Sequence, residues 1–313
     1  MRWFPLLAVG LLLSCGAPIA KDHTTRPDDA EEDVTPKTAV RDAKGVFDEI
    51  INALRRGKTD ALLPTVVDQL VVLGPGSTHA FTSRSDAVVA MSGYLDHHSD
   101  ALQINAGKPV IGVATGGHSV WLVQNLTVGN DAFIVTALTS EKNGIARLAA
   151  VFLSPSMPMK KIRKAAKSER LTIPSQALPP TLKDDPGAAG ALAAFTLGVA
   201  DNTRWEADLM AQSETDKALV IGPAAEQFAS GTKALKKYWK KRSDNNVVLK
   251  LVDKPRSGIT EDGQLAWVTA AVEQTEESDD PLPLRIFAIY SHDDEGAWRL
   301  AALHQAVTST DAK

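Results

Sequence analysis

Apolar and polar residues follow two periods along this chain, and the order of those periods occurs twice. Over residues 38–56, Val40, Ala43, Val46, Phe47, Ile50, Ile51 and Leu54 recur at helical spacing, which predicts one amphipathic helix. A matching stripe is formed later by Ala188, Leu192, Phe195, Val199 and Trp205. Short second helices are predicted near 59–67 and 206–213. Each is followed by an apolar run that ends in Gly-Pro, Val71-Val72-Leu73-Gly74-Pro75 and Leu219-Val220-Ile221-Gly222-Pro223. The proline there has a fixed φ and no N–H, so it stops a strand ladder. Further short helices are expected at 84–96 and 231–242. Weak strands follow near 101–114 and 246–254, and then the period changes to two. Three strands are predicted near 119–128, 132–140 and 146–153, and three more near 265–273, 284–292 and 297–307. Glu141-Lys142-Asn143-Gly144 and Asp293-Asp294-Glu295-Gly296 are the hairpin loops between the last two strands of each set. Helices first and a meandering sheet afterwards predict an α+β fold.

The recurrence extends to residue identity. Asp60 matches Asp208, Phe47 matches Phe195, and Gly74-Pro75 matches Gly222-Pro223 at one offset. Trp121 matches Trp267, Gly144 matches Gly296, and Arg147-Leu148-Ala149-Ala150 matches Arg299-Leu300-Ala301-Ala302. The offset drifts by a few residues, as insertions in loops would cause. Two copies of one unit are therefore expected, at 37–155 and 185–309, joined by a proline-containing linker at 156–184. That linker carries Lys160-Lys161-Ile162-Arg163-Lys164, read as part of a short solvated helix.

The first residues belong to neither copy. Arg2 precedes an apolar stretch from Leu6 to Leu13, a secretory signal too short to span a bilayer. Leu12-Leu13-Ser14-Cys15-Gly16 resembles the bacterial lipoprotein box. The resemblance implies cleavage after residue 14 and acylation of Cys15, the single cysteine of the 313 residues. Two or more acyl chains are enough for stable anchoring. The expected location is the bacterial cell envelope, with the outer membrane favoured over the inner because Gly16 is not the retention aspartate. Residues 15–36 are polar and carry the acidic run Asp28-Asp29-Ala30-Glu31-Glu32-Asp33, so they read as a disordered tether.

Charge and composition remove several function classes. A net charge of −4 and an aromatic content of 5% give no basis for nucleic-acid binding. There is no phosphate-binding loop, dinucleotide fingerprint or nucleophile elbow, and no cofactor is expected. His97-His98 is the one histidine pair; adjacent side chains diverge, so no metal is expected. The run Lys233 to Arg242 places its lysines on one helical face with Leu235, Tyr238 and Trp239 inward. It reads as a solvated face, or as a contact for anionic lipid or polysaccharide.

The order of elements, with Ala266-Trp267-Val268 and a last strand holding Trp298-Arg299-Leu300 and His304, resembles the nuclear-transport-factor-2-like superfamily in its SnoaL-like branch. The resemblance implies two cones, each a curved, mostly antiparallel sheet wrapped around N-terminal helices. It implies an apolar pocket and frequent dimerisation through the sheets, and no particular reaction. Copy one departs from the pattern, with Ala146 at the tryptophan position and Phe152 at the histidine position. In copy two, strict alternation puts His304 on one face with Trp298 and Leu300, and a ligand pocket lined by Trp267, Trp298, Leu300 and His304 is expected. His304 and Asp208 are the candidate acid–base pair of an isomerase- or dehydratase-like alternative. The reading preferred for Asp208 is an N-cap or first-turn acid of the helix, and for His304 a satisfied core side chain. The primary expectation is a non-catalytic module for a small apolar ligand or a protein partner, anchored to the membrane through Cys15.

Overall fold

A computed structural model describes residues 36–58, 64–89, 103–173, 184–213, 218–276 and 279–310. The signal, Cys15, the rest of the expected tether up to residue 35, Asp60 and His97-His98 lie outside the described residues, while Pro36, expected to end the tether, begins the first helix.

The first helix, α1 (Pro36–Arg55), buries Ala43, Phe47, Ile50 and Ile51, the stripe expected from the spacing. It lies against the sheet formed by β1 (Val66–Leu73), β2 (Ala80–Phe81), β3 (Ile104–Ala106), β4 (Val110–Val113), β5 (Val120–Val128), β6 (Asp131–Lys142) and β7 (Ile145–Pro155). The strand order is β2-β1-β7-β6-β5-β3, with β4 also paired to β5. A short helix, α2 (Met159–Lys167), leads out of this sheet.

The second half begins with α3 (Ala189–Ala200) and α4 (Asn202–Gln212). The apolar stripe from Ala188 to Trp205 is thus split between two helices. Asp201 makes the break: its backbone is extended, and its carboxylate accepts from the Thr203 N–H at 3.0 Å as an N-cap. Then follow β8 (Leu219–Ile221), β9 (Phe228–Ser230), α5 (Thr232–Asp244), β10 (Val248–Leu251), β11 (Arg256–Ile259), β12 (Leu265–Glu276), β13 (Asp279–His292) and β14 (Trp298–Val307). Their order, β9-β8-β14-β13-β12-β10 with β11 on β12, is that of the first sheet strand for strand. The fold is α+β with two cone-like domains. Among the described strands, all pairings are antiparallel except β1 with β7 and β8 with β14.

Each cone has an inner core. In the first it gathers Phe47, Ile50, Ile51, Leu70, Leu122, Val135 and Leu148. In the second it gathers Phe195, Trp205, Leu209, Leu235, Trp239, Ile286, Tyr290 and Leu300. A further core lies between the outer faces of the two sheets. Val71, Leu73, Trp121, Leu138, Ala150 and Phe152 of the first meet Leu219, Ile221, Trp267, Phe287, Ile289 and Ala302 of the second. The two sheets therefore pack back to back inside one chain.

Equivalent side chains shape this interface. Trp121 lies flat over its cross-strand partner Gly112, and Trp267 over Gly258. A Cβ at either glycine would penetrate the indole ring. Helix α2 departs from its expected solvated state. Its lysines are exposed, but Ile162 is fully buried in the inner core of the second cone, with Met157 and Met159 packed beside it.

Candidate functional site

Around Trp205 the inner face of the second cone is packed with aromatic side chains. Trp205 donates its indole N–H to the Tyr290 hydroxyl at 3.1 Å, and both residues are buried. Burial pushes the Tyr290 phenol above its ordinary range. Trp205 also stacks against Phe195, with ring centroids 5.5 Å apart. Trp298 closes the end of β14 over Gly190 of α3 and meets the His292 ring at 3.7 Å.

Asp208 sits in the middle of α4, and the cap of that helix is Asp201. The Asp208 carboxylate accepts from the Leu300 backbone N–H at 3.3 Å and pairs with Arg299 at 3.5 Å. Burial raises its pKa, against the opposing pull of the Leu300 N–H and the Arg299 charge. These contacts latch α4 to the first turn of β14.

His304 lies elsewhere. Trp298 and Leu300 face the inner core, but β14 carries a bulge where Tyr290 pairs with Leu300 and Ile289 pairs with Ala302, leaving Ala301 unmatched. One extra residue reverses the alternation. From Ala302 onward the even positions point outward, and Leu303, Gln305 and Val307 point inward. The expectation that His304 shares a pocket with Trp298 and Leu300 is corrected by this bulge. Trp267 is likewise on the outer face, in the core shared by the two sheets. The four expected lining residues divide into two pairs on opposite faces of the sheet. The acid–base arrangement of His304 with Asp208 fails for the same reason, because Asp208 is held on the cone side.

The imidazole of His304 is enclosed by the first half of the chain. Nδ1 is 2.8 Å from the Thr136 hydroxyl and Nε2 is 2.7 Å from the Ser154 hydroxyl. Its ring lies 4.5 Å from that of Phe152, the residue at its own position in the first sheet. A neutral imidazole has one donor and one acceptor, and hydroxyls can serve either, so both nitrogens are satisfied without charge. Burial pushes its pKa down to about 3. Register relates the other partners too. Thr136 pairs with Phe152 in the first sheet, as Phe287 pairs with His304 in the second. The polar set Thr136 and Ser154 thus faces a histidine, where the second sheet has Phe287 and Ala306 near a phenylalanine.

A second long-range clamp is Arg285, fully buried on β13. Its guanidinium donates to the carbonyls of Gly74 at 2.8 Å, Ser77 at 3.0 Å and His79 at 3.2 Å. It closes the Gly-Pro loop of the first half, and burial lowers its pKa to about 10.

At the other end of the second cone, the last turn of α5 places Arg242 inside. Its Nη1 donates to Gln274 Oε1 at 3.1 Å, Tyr238 Oη at 3.3 Å and Gln305 Oε1 at 3.4 Å. The guanidinium carbon lies 5.7 Å from the Tyr238 ring and 5.8 Å from the Trp239 ring. The spacing of the basic run predicts Tyr238 and Trp239 inward, as observed, but Arg242 joins them in the core. The signal for this was its spacing, three residues after Trp239 and four after Tyr238. Among the described residues, no group of three or more histidine, cysteine or acidic side chains could hold a metal ion, and no helix is long and apolar enough to cross a membrane.

No family model matches the chain, and no curated protein matches it. Among solved structures, it is similar to an uncharacterised protein with a cystatin-like fold from Caulobacter vibrioides, at 12% identity and a TM-score of 0.36, covering 42% of this chain and 95% of that one. It is similar to a protein of unknown function from Pseudomonas putida, described as NTF2-like, at 10% identity and a TM-score of 0.36, covering 41% and 93%. It is also similar to an NTF2-like protein from Cytophaga hutchinsonii, at 14% identity and a TM-score of 0.31, covering 36% and 93%.

Proposed function

We propose that this chain is a lipid-anchored cell-envelope protein with tandem SnoaL-like domains, acting as a non-catalytic binding module. Cys15 would carry the anchor, and the polar tether would hold the folded part away from the membrane. The two sheets serve each other as the dimer partner, which leaves the helix-covered cones as the faces available to a small apolar ligand or a protein partner. The observation that carries the non-catalytic reading is the division of β14. His304 is neutral and bonded between two hydroxyls on the outer face, while Asp208 is tied to Arg299 and the Leu300 N–H on the inner face. Neither is free to exchange a proton with a common substrate.

Two measurements test this reading. Growth with labelled palmitate should label the wild-type chain and leave Cys15→Ser unlabelled; label on the Ser variant would refute the anchor. Native mass spectrometry of the chain released from its own envelope should show a stoichiometric small-molecule adduct or a defined protein complex. A bare mass, with no cross-linked partner in intact cells, would refute the binding role.

A further inference from the structure

A guanidinium uses two edges differently. Nη1 lies beside the side-chain stem, whereas Nε and Nη2 point the same way and form the fork that matches the two oxygens of a carboxylate. In Arg242, all three hydrogen bonds go through Nη1. Nε and Nη2 are both buried and have no acceptor. Two further donors in the same place are also buried without a partner: Nε2 of Gln305, whose Oε1 holds Arg242, and the indole Nε1 of Trp239, whose ring faces the guanidinium. Arg242 is only 8% exposed and Gln305 is fully buried. A buried donor left unpaired is costly, and more so when it is charged, so these donors around one guanidinium call for an acceptor.

Among the described residues none supplies one, and no carboxylate of those residues bonds to Arg242. The acid next in the network is Glu276, which accepts from Gln274 Nε2 at 3.2 Å and pairs with Arg163 of α2 at 3.7 Å. Among the described residues, the guanidinium is thus surrounded by neutral amides and two aromatic rings, with no carboxylate bonded to it.

From this, and resting on the binding-module reading, we propose that the Arg242 end of the second cone is a recognition site for a monocarboxylate with a short apolar body. The carboxylate lies in the Nε/Nη2 fork and takes the third and fourth bonds from Gln305 Nε2 and Trp239 Nε1. The fork fits the paired oxygens of carboxylate and phosphate alike, and a single guanidinium matches the single negative charge of a monocarboxylate better than the higher charge of a phosphate. Tyr238 and Trp239 supply apolar walls for the body of the ligand. Entry runs beneath α2, which covers this end with one fully buried large side chain, Ile162, and is held by the partly exposed pair Arg163–Glu276.

The test is calorimetric titration of the purified full chain with pentanoate and with pentanamide, which share shape and differ in charge. Pentanoate should bind at least tenfold more tightly. Arg242→Gln should abolish that preference, and Arg242→Lys, which keeps the charge and loses the fork, should not restore it. A second readout needs no variant to fold: the Nε–H proton resonance of Arg242 in the wild-type chain should shift downfield as pentanoate saturates. Equal binding of acid and amide would overturn carboxylate recognition and leave the cone as a binding module. An unmoved Nε–H resonance, with ordered water alone in the fork, would overturn it as well.

Discussion

Replacing His304 with glutamine should remove an acid sensitivity built into the contact between the two sheets. In the folded chain the imidazole is fully buried between Thr136, Ser154 and Phe152, and its pKa is pushed down to about 3. In the unfolded chain it titrates near the ordinary histidine value of about 6.5. Between those two values the unfolded state holds one more proton than the folded state. Stability therefore falls as the pH falls from about 6.5 toward 3, by about 1.4 kcal/mol per unit. From pH 7 to pH 5 this single group costs about 2 kcal/mol. Glutamine has a donor and an acceptor for the two hydroxyls and does not titrate. Urea unfolding of both proteins at pH 7 and pH 5 isolates the effect, because carboxylates common to both cancel in the difference. The gap between them should move by about 2 kcal/mol in favour of the variant on acidification. A gap that stays constant to within a few tenths of a kcal/mol would refute the buried, neutral histidine.

Other perturbations read other contacts. Gly258→Ala drives a methyl into the Trp267 indole, so it should cost at least about 2 kcal/mol and lower the melting temperature by several degrees. Gly263→Ala meets no atom but sits at φ 72°, so it should cost only the backbone strain of about 1 kcal/mol. Arg285→Met removes the side-chain donor from the carbonyls of Gly74 and Ser77, while the His79 carbonyl keeps the Gly74 N–H. It should cost about 2–3 kcal/mol and speed amide exchange in the 74–79 loop, measured by hydrogen exchange. Trp205→Phe removes the bond to Tyr290 and should cost about 1–2 kcal/mol by thermal unfolding, with the fold retained.

Much of this architecture can be read from residue pattern, and the unread parts have specific causes. Alternation located the six long strands, and the paired Gly-Pro and Arg-Leu-Ala-Ala blocks located the repetition. The bulge at Ala301 leaves no trace in such a pattern. Leu300, Ala301, Ala302 and Leu303 are all apolar, so the point where the faces exchange is invisible, and His304 is assigned to the wrong side. The glycines under the two tryptophans were a legible signal: Gly112 precedes Trp121 by the same interval as Gly258 precedes Trp267. Their spacing marks a ring lying across a neighbouring strand. Arg285 and Arg242 were obscured for a different reason. An arginine is expected at the surface unless a partner is known, and the partners here are carbonyls of a distant loop and glutamines of other strands. Ile162, isolated among lysines, was the one apolar cue that α2 docks rather than floats.

The account depends most on the two sheets meeting through their outer faces within a single chain. The direct measurement is a nuclear Overhauser spectrum of the full chain, with histidine and phenylalanine ring protons labelled. Cross-peaks from the His304 ring to the Phe152 ring and the Thr136 methyl are predicted. Cross-peaks from His304 to Trp298 and Leu300, with none to Phe152, would place the imidazole in the cone and contradict the account.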